Sequence, residues 1–172
     1  LGDFGGSQDA TKTVALPFTF TYYGRSYTQI SICSNGWAAL GACSLVSYHN
    51  TGIPGAGGSP KALLAPFWDN LVQSGTNLVY QRYDAAGHRF IVEWHRLTND
   101  YSGALQDFEL ILLDPAWHPA PGGQGQILFQ YHDVEDTDLR DAYATVGIQS
   151  PDGRDGLLYA FWNQTMGGAA PL

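Results

Sequence analysis

The sequence predicts an all-β protein, specifically an antiparallel, jelly-roll-like β-sandwich of about ten strands. Aromatic residues make up 13% of the chain and charged residues only 14%, against a usual ~25% of charged residues. The 21 glycines and 9 prolines supply frequent turn formers. Short runs of alternating apolar and polar residues recur between these turns, and such alternation is typical of half-buried strands.

The N-terminal half contains four predicted strands, at residues 16–21, 26–33, 36–40 and 63–68. Pro17 places the first strand near the edge of a sheet, because proline cannot donate a ladder hydrogen bond. The pair Asn35-Gly36 is a strong hairpin signal between the second strand and the third. Residues 44–61 are rich in Gly, Pro and Ser and predict a loop.

The C-terminal half contains six predicted strands, at residues 78–83, 88–97, 106–114, 126–134, 143–149 and 157–162. The strand at 106–114 is apolar on both faces, so we expect it to lie at the centre of a sheet. Residues 84–87 predict one hairpin turn, and Pro151-Asp152-Gly153 predicts another.

Ten antiparallel strands imply two packed sheets, with a closed barrel as the alternative. We expect one domain at residues 14–162, flanked by extended arms at 1–13 and 163–172. The alternating apolar positions give the predicted core: Phe18, Phe20, Ile30, Ile32, Trp37, Leu64, Phe67, Val79, Phe90, Val92, Trp94, Phe108, Leu110, Leu112, Ile127, Phe129, Val146 and Ile148.

Charge and motifs exclude several classes of function. A net charge of −8 argues against nucleic acid, whose phosphates need cationic partners, and against an anionic membrane surface. The chain has no run of 18 apolar residues, so we expect no membrane insertion. It also lacks the Gly-x-Ser-x-Gly and His-Glu-x-x-His signatures and a phosphate-binding Gly-rich loop, so we expect no enzymatic activity.

Two cysteines, Cys33 and Cys43, flank the predicted hairpin turn. We expect a disulfide between them, which closes a short loop and indicates an oxidising compartment. Two free buried thiols, or a redox or metal-binding pair, are the alternatives.

Acidic residues after the strand at 126–134 form a candidate calcium site, because hard cations prefer carboxylate oxygens. The candidate ligands are Asp133, Glu135, Asp136 and Asp138, with Asp141 close by. A solvated loop is the alternative, and Asp69 and the pair Asp152 and Asp155 are weaker candidates.

Aromatic residues in loops form a candidate binding surface made of Trp117, His118 and Tyr48. Such side chains stack on sugars or anchor protein interfaces, although loop aromatics can also fold back over the ends of a sandwich. Asn163-Gln164-Thr165 matches the N-glycosylation acceptor, with Asn163 as the modified residue.

A series of motifs resembles a known family. Residues 16–24 (LPFTFTYYG), 32–37 (ICSNGW), 64–69 (LAPFWD), 90–94 (FIVEW) and 144–148 (ATVGI) occur in this order. The chain resembles nidogen-like and plexin-domain-like extracellular β-sandwich modules, including those of large secreted bacterial proteins beside gingipain-like peptidase and sorting domains. The resemblance implies a non-catalytic module outside the cell or on its surface.

We therefore expect a structural or adhesive subunit whose partners are copies of itself or other surface proteins. The family pattern implies one more strand after the last hairpin, and we expect this sandwich to lack it and so to have an open sheet edge. The arm at residues 1–13 is then expected to supply a strand to the open edge of a neighbour and build a filament or surface layer. The alternatives are a carbohydrate-binding module, with calcium as its cofactor, and an accessory domain of a secreted peptidase.

Overall fold

The computed structural model describes residues 8–55, 57–135, 144–161 and 164–165. This part of the chain forms two antiparallel sheets and contains no α-helix. The all-β sandwich predicted from the sequence is confirmed. In chain order the strands are β1 (Thr11–Tyr22), β2 (Arg25–Cys33), β3 (Trp37–Leu40), β4 (Leu63–Trp68), β5 (Leu71–Val72), β6 (Val79–Asp84), β7 (Arg89–Asn99), β8 (Leu105–Leu113), β9 (Ile127–Asp133), β10 (Thr145–Gln149), β11 (Gly156–Phe161) and β12 (Gln164–Thr165).

The first sheet has the strand order β1-β2-β3-β4-β10-β11-β12. In the second sheet β7, β8 and β9 are neighbours, while β5 and β6 both pair with β7. The chain crosses between the sheets after β4 and again after β9. Within each sheet most strands follow one another as hairpins. The fold therefore has the two packed layers of the predicted jelly roll, but its strands are not connected as in a jelly roll.

The main core lies between the sheets and is dominated by aromatic side chains. Phe108 of β8 packs against Trp94 of β7 at 5.2 Å between ring centroids and against Phe67 of β4 at 5.5 Å. The contact with Phe67 joins one sheet to the other. Burying such rings contributes roughly 2–3 kcal/mol each from apolar area alone. Phe18, Ile127, Phe129 and Ile148 of the predicted core are only partly buried and pack at its margin.

A second apolar cluster lies on the outer face of the first sheet, where the loop between β3 and β4 covers it. Trp37 and Trp68 belong to this cluster, and both indole Nε1–H groups donate to the backbone carbonyl of Ser47, at 2.9 and 3.0 Å. Strands β3 and β4 are therefore buried on both faces. This explains why residues 63–68 read as a continuous apolar run and not as an alternating one.

The turn between β2 and β3, which consists of Ser34, Asn35 and Gly36, is completely buried. The carbonyls of Asn35 and Gly36 accept hydrogen bonds from the backbone of Asp69 and Phe67, and the Asn35 side-chain oxygen accepts one from the Leu71 amide at 3.0 Å. This turn therefore connects β2 and β3 with the end of β4 and with β5, where the chain enters the second sheet.

The N-terminal boundary differs from the predicted arm at residues 1–13. Thr11 and Thr13 already pair with Cys33 and Ser31 within β1 and β2. Ser34 exchanges hydrogen bonds with Ala10, and its hydroxyl donates to the Gln8 carbonyl at 2.7 Å. The described part of the predicted arm is thus joined to the sheet, because the buried turn offers it polar partners.

The predicted C-terminal arm also differs, since Gln164 and Thr165 form the short strand β12 against β11. Strands of two residues, such as β12 and β5, carry too little periodicity to be read from the sequence.

Replacement of Gly36 tests the importance of the buried turn. Gly36 has φ +74°, and a Cβ there would lie 1.8 Å from the Phe67 carbonyl oxygen. We expect Gly36→Ala to lower the free energy of unfolding by at least about 3 kcal/mol in urea denaturation, because backbone atoms must move. Gly24 is a matched control, since it has φ +72° and no atom within 4 Å of a Cβ. Its change to Ala should cost only about 1–2 kcal/mol, the penalty of the left-handed conformation. Equal losses in the two variants would contradict this account.

Candidate functional site

The outer face of the second sheet carries a polar groove of about 480 Å³. Strand alternation builds it, because every second residue of β7, β8 and β9 faces the core and the residues between them face outward. Glu93 pairs with Glu109, and Glu109 pairs with Gln130. The polar side chains that line the groove are Glu93, His95, Asp107, Glu109, Gln130 and His132.

His95 is the centre of this groove. Its Nδ1 lies 3.0 Å from Glu93 Oε1 and 3.6 Å from Asp107 Oδ2. The Tyr80 ring of β6 meets the imidazole edge-on at 6.1 Å between centroids. All three members of the Glu93–His95–Asp107 cluster are half-buried. One imidazole therefore faces two carboxylates, an arrangement able to hold a proton or a cation.

Glu109 borders this cluster from the neighbouring strand. Burial raises the pKa of its carboxyl, and the negative charge of Glu93 raises it further. Arg82 and Arg89 oppose that shift. The groove thus carries excess negative charge, which favours positively charged ligands.

This groove was not predicted from the sequence. The alternation of β7 and β8 predicts that Glu93, His95 and Asp107 face outward, because each lies next to a core position. What brings them together is the register between the strands, which the sequence does not state. A carboxylate and a histidine at i and i+2 on β7, followed in the sequence by a strand with carboxylates at i and i+2 (Asp107 and Glu109), is the signal that could have indicated it.

The predicted calcium ligands are only partly within the described chain. Asp133 and Glu135 are both exposed, while Asp136, Asp138 and Asp141 lie outside the described residues. The loop begins in a fixed position, because the Gln106 side chain pairs with both the amide and the carbonyl of Glu135, at 2.9 and 2.8 Å. Calcium at this loop stays a prediction.

The weaker acidic candidates have structural partners. Asp69 is buried and accepts hydrogen bonds from the Asn99 side chain and the Asn70 amide. Asp152 accepts from the Ser150 hydroxyl at 2.7 Å, and this bond lowers the pKa of its carboxyl. These carboxylates stabilise turns.

Trp117 is displayed on the surface. Its side chain is 64% exposed and its ring stacks on His88 at 3.8 Å between centroids and 9° between planes. The turn that carries Trp117 is held by Asp114, whose carbonyl accepts from the amides of Trp117 and His118. The His118 ring lies against the β6–β7 hairpin, with Nε2 donating to the Gly87 carbonyl at 3.0 Å. The loop therefore presents a flat aromatic surface, which we call the Trp117 platform (Trp117 and His88).

The other predicted binding residue, Tyr48, lies elsewhere. It belongs to the loop over the outer face of the first sheet, where its ring contacts His49 at 4.1 Å between centroids. Trp117 is in the β8–β9 connection, so the structure does not unite the two aromatics in one element. The predicted glycosylation acceptor Asn163 lies outside the described residues.

The predicted disulfide between Cys33 and Cys43 is not formed, and both cysteines are free thiols. The expected strand–turn–strand geometry pairs Cys33 with Trp37 instead, and Cys43 lies three residues beyond the end of β3. Cys43 still packs against the cluster that contains Cys33. Burial raises the pKa of the Cys33 thiol to about 11.

A second groove, of about 530 Å³, is apolar and lies between the sheets along β9. Inward-facing residues of β9 form one wall, and residues of β10 and β11 form the other. The lining residues are Ile127, Phe129, Tyr131, Val146, Gly147, Ile148, Leu157 and Tyr159. Leu157 is 66% exposed at its rim, so the sandwich is open along this edge in the part of the chain that the structure describes.

The fold and its surfaces define an antiparallel β-sandwich module. The family model described as NIDO related matches residues 3–168, so the chain belongs to the NIDO-related family. Domains of this family are extracellular-type β modules and are typically non-catalytic. The comparisons with curated proteins and with solved structures find no match. Within the described ranges there is no helix of the length and apolarity needed to span a membrane.

Thiol labelling of the native protein tests the state of the cysteines. With a pKa of about 11, Cys33 is about one part in a thousand thiolate at pH 8, and the thiolate is the reactive form. We expect a disulfide-exchange reagent to modify Cys43 in the native protein, and Cys33 only after unfolding in guanidinium chloride. Intact mass spectrometry counts the modified thiols. An intact mass two hydrogens below that of the dithiol would instead establish the disulfide.

Proposed function

We propose that this chain is a non-catalytic structural or adhesive module outside the cell, and that it associates with further copies of itself. The family and the rigid two-sheet core support the first part. The edge of β9 supports the proposed self-association. Among the described residues this strand pairs only with β8, and it borders the open apolar groove. The role of an accessory domain beside a secreted peptidase stays a prediction.

Two of the edge strands, β1 and β9, differ in how well they resist pairing with another chain. Strand β1 carries Lys12 and Pro17, and its register with β2 shifts between Ala15 and Phe20. Lysine, proline and bulges are the usual protection of a sheet edge. Strand β9 has the sequence ILFQYHD, without Lys, Arg or Pro. Its free edge is therefore suited to accept a strand from a second molecule.

The contacts of the N-terminal segment favour β9 over arm exchange as the route of assembly. Residues 8–13 make hydrogen bonds or strand pairs within their own chain, and a donated arm would have to give these up. Pairing of β9 with β9 of a second copy about a two-fold axis leaves them in place, and it can also cover the apolar groove of each copy.

Charge placed at the open edge tests this assembly. Leu128 of β9 and Leu157 at the groove rim are 46% and 66% exposed, so their replacement should change stability by less than about 1 kcal/mol. We expect the wild-type chain to form dimers or larger species by light scattering and sedimentation equilibrium. The variant Leu128→Lys/Leu157→Lys should associate at least about tenfold more weakly, because each charge occurs twice across the two-fold axis.

The matched control is Leu45→Lys/Val46→Lys. These two side chains are 41% and 42% exposed on the β3–β4 loop, so the control adds the same charge away from β9. It should assemble like the wild type. A wild-type chain that stays monomeric well above micromolar concentration contradicts the proposal, as does equal weakening by both variants.

Carbohydrate binding is the second candidate function, and the Trp117 platform favours it. Sugar rings present C–H groups that pack on flat aromatic faces, and a preorganised ring loses little conformational entropy on binding. The stack with His88 and the Asp114 turn hold Trp117 in place without burying it. Arg89 and Asp84, paired at 2.8 Å on the adjacent hairpin, provide polar groups near the platform.

A glycan array read with Trp117→Ala tests the carbohydrate proposal. If the platform binds a sugar, the wild-type chain should bind a defined set of glycans, and the variant should lose about 2 kcal/mol, roughly thirtyfold in affinity. Tyr101→Ala is the matched control, because Tyr101 is 57% exposed in a different loop. Glycan binding that survives Trp117→Ala would place the sugar site elsewhere and contradict this proposal.

A further inference from the structure

The Glu93–His95–Asp107 cluster places three side chains that can ligate a metal on two adjacent strands. One ligand atom from each side chain lies within 4.8 Å of the other two. Glu93 and His95 point outward from β7 two residues apart, and Asp107 points outward from β8. The pairing of β7 with β8 is interrupted by a bulge between Trp94 and Leu97, and His95 lies inside it. Bulges re-aim side chains, and this one accompanies the approach of the imidazole to Asp107.

The distances in the cluster fit a small ion. Nitrogen and oxygen ligands lie about 2.0–2.2 Å from zinc in tetrahedral sites, so two ligand atoms of one ion are about 3.3–3.5 Å apart. His95 Nδ1 lies 3.0 Å from Glu93 Oε1 and 3.6 Å from Asp107 Oδ2. These two values are on either side of the expected separation, so shifts of a few tenths of an ångström would bring both of them to it. The ligand oxygens of Glu93 and Asp107 lie within 4.8 Å of each other.

The ligand types also select the class of ion. An imidazole nitrogen with two carboxylates suits zinc and other divalent transition metals, whereas calcium prefers six to eight oxygen ligands. Two carboxylates neutralise the charge of one divalent ion. The surrounding groove, with His132 and Gln130 on its β9 side, leaves the cluster accessible from solvent.

We propose that Glu93, His95 and Asp107 form a binding site for a divalent transition-metal ion, with zinc as the ion of first choice. The site lies on the outer face of the second sheet and is separate from the acidic loop after β9. It does not depend on the assembly proposed for β9 or on the Trp117 platform.

Calorimetric titration of the full chain, without an affinity tag, tests the site. Zinc chloride and calcium chloride are titrated separately at neutral pH in a buffer that does not bind metals. We expect one zinc ion per chain, with calcium at least about a hundredfold weaker. His95→Ala and Asp107→Asn should each weaken zinc binding at least about tenfold, since loss of a ligand costs more than loss of a supporting residue. Saturating zinc should raise the Tm of the wild type by about 5 °C or more.

His49→Ala is the matched control, because His49 is an exposed histidine on the β3–β4 loop and does not belong to the cluster. Its zinc affinity should equal that of the wild type. Circular dichroism of each variant without metal establishes that it is folded, and Asp107→Asn preserves the shape of the side chain. The proposal is overturned if the wild type shows no zinc binding, or if His95→Ala binds zinc as tightly as the wild type.

Discussion

The buried turn of Ser34, Asn35 and Gly36 is the constraint on which the other parts of this sandwich depend. Its backbone and side chains bond to the N-terminal segment, to the end of β4 and to β5. The carbonyl of Cys33, next to the turn, accepts the indole N–H of Trp94 at 2.8 Å and so reaches β7 of the second sheet. Polar groups at this depth cost free energy unless they are paired. The bonds therefore fix one relative placement of the strands, since any other would leave the turn unsatisfied.

This arrangement gives the two sheets different outer faces. The chain leaves β3 and passes over the first sheet before it returns as β4, and the Ser47 carbonyl fastens that loop to Trp37 and Trp68. The outer face of the first sheet is thereby covered at β3 and β4. The second sheet is built from hairpins, with one long connection between β8 and β9, and the polar groove remains on its outer face. Candidate binding groups accumulate there because the topology leaves that face open to solvent.

The sequence predicted the architecture well because alternation and turn residues are local signals. Asn35-Gly36 and Pro151-Asp152-Gly153 marked real turns, and the apolar run at 106–114 proved to be the strand between β7 and β9. Prediction from the sequence failed for contacts that depend on the register between strands or on the loops that cover the sheets. Cys33 and Cys43 seemed poised for a disulfide by spacing, and the cluster at His95 was invisible because its third member comes from another strand. Trp117 could be named as a loop aromatic, but its stack with His88 joins residues 29 positions apart.

Strand β9 connects the proposed properties of the molecule. Its inward-facing side chains Ile127, Phe129 and Tyr131 form a wall of the apolar groove, and its outward-facing Gln130 and His132 border the polar groove. The Tyr131 hydroxyl donates to the Pro66 carbonyl at 2.8 Å, so the strand is anchored to β4 on its inner side while its outer edge stays available. A strand added by a second copy would extend the sheet that holds Glu93, His95 and Asp107, two strands away from Asp107. Assembly along β9 would therefore enlarge the same face that offers the metal ligands, and an adhesive surface of this module would carry charge and metal together.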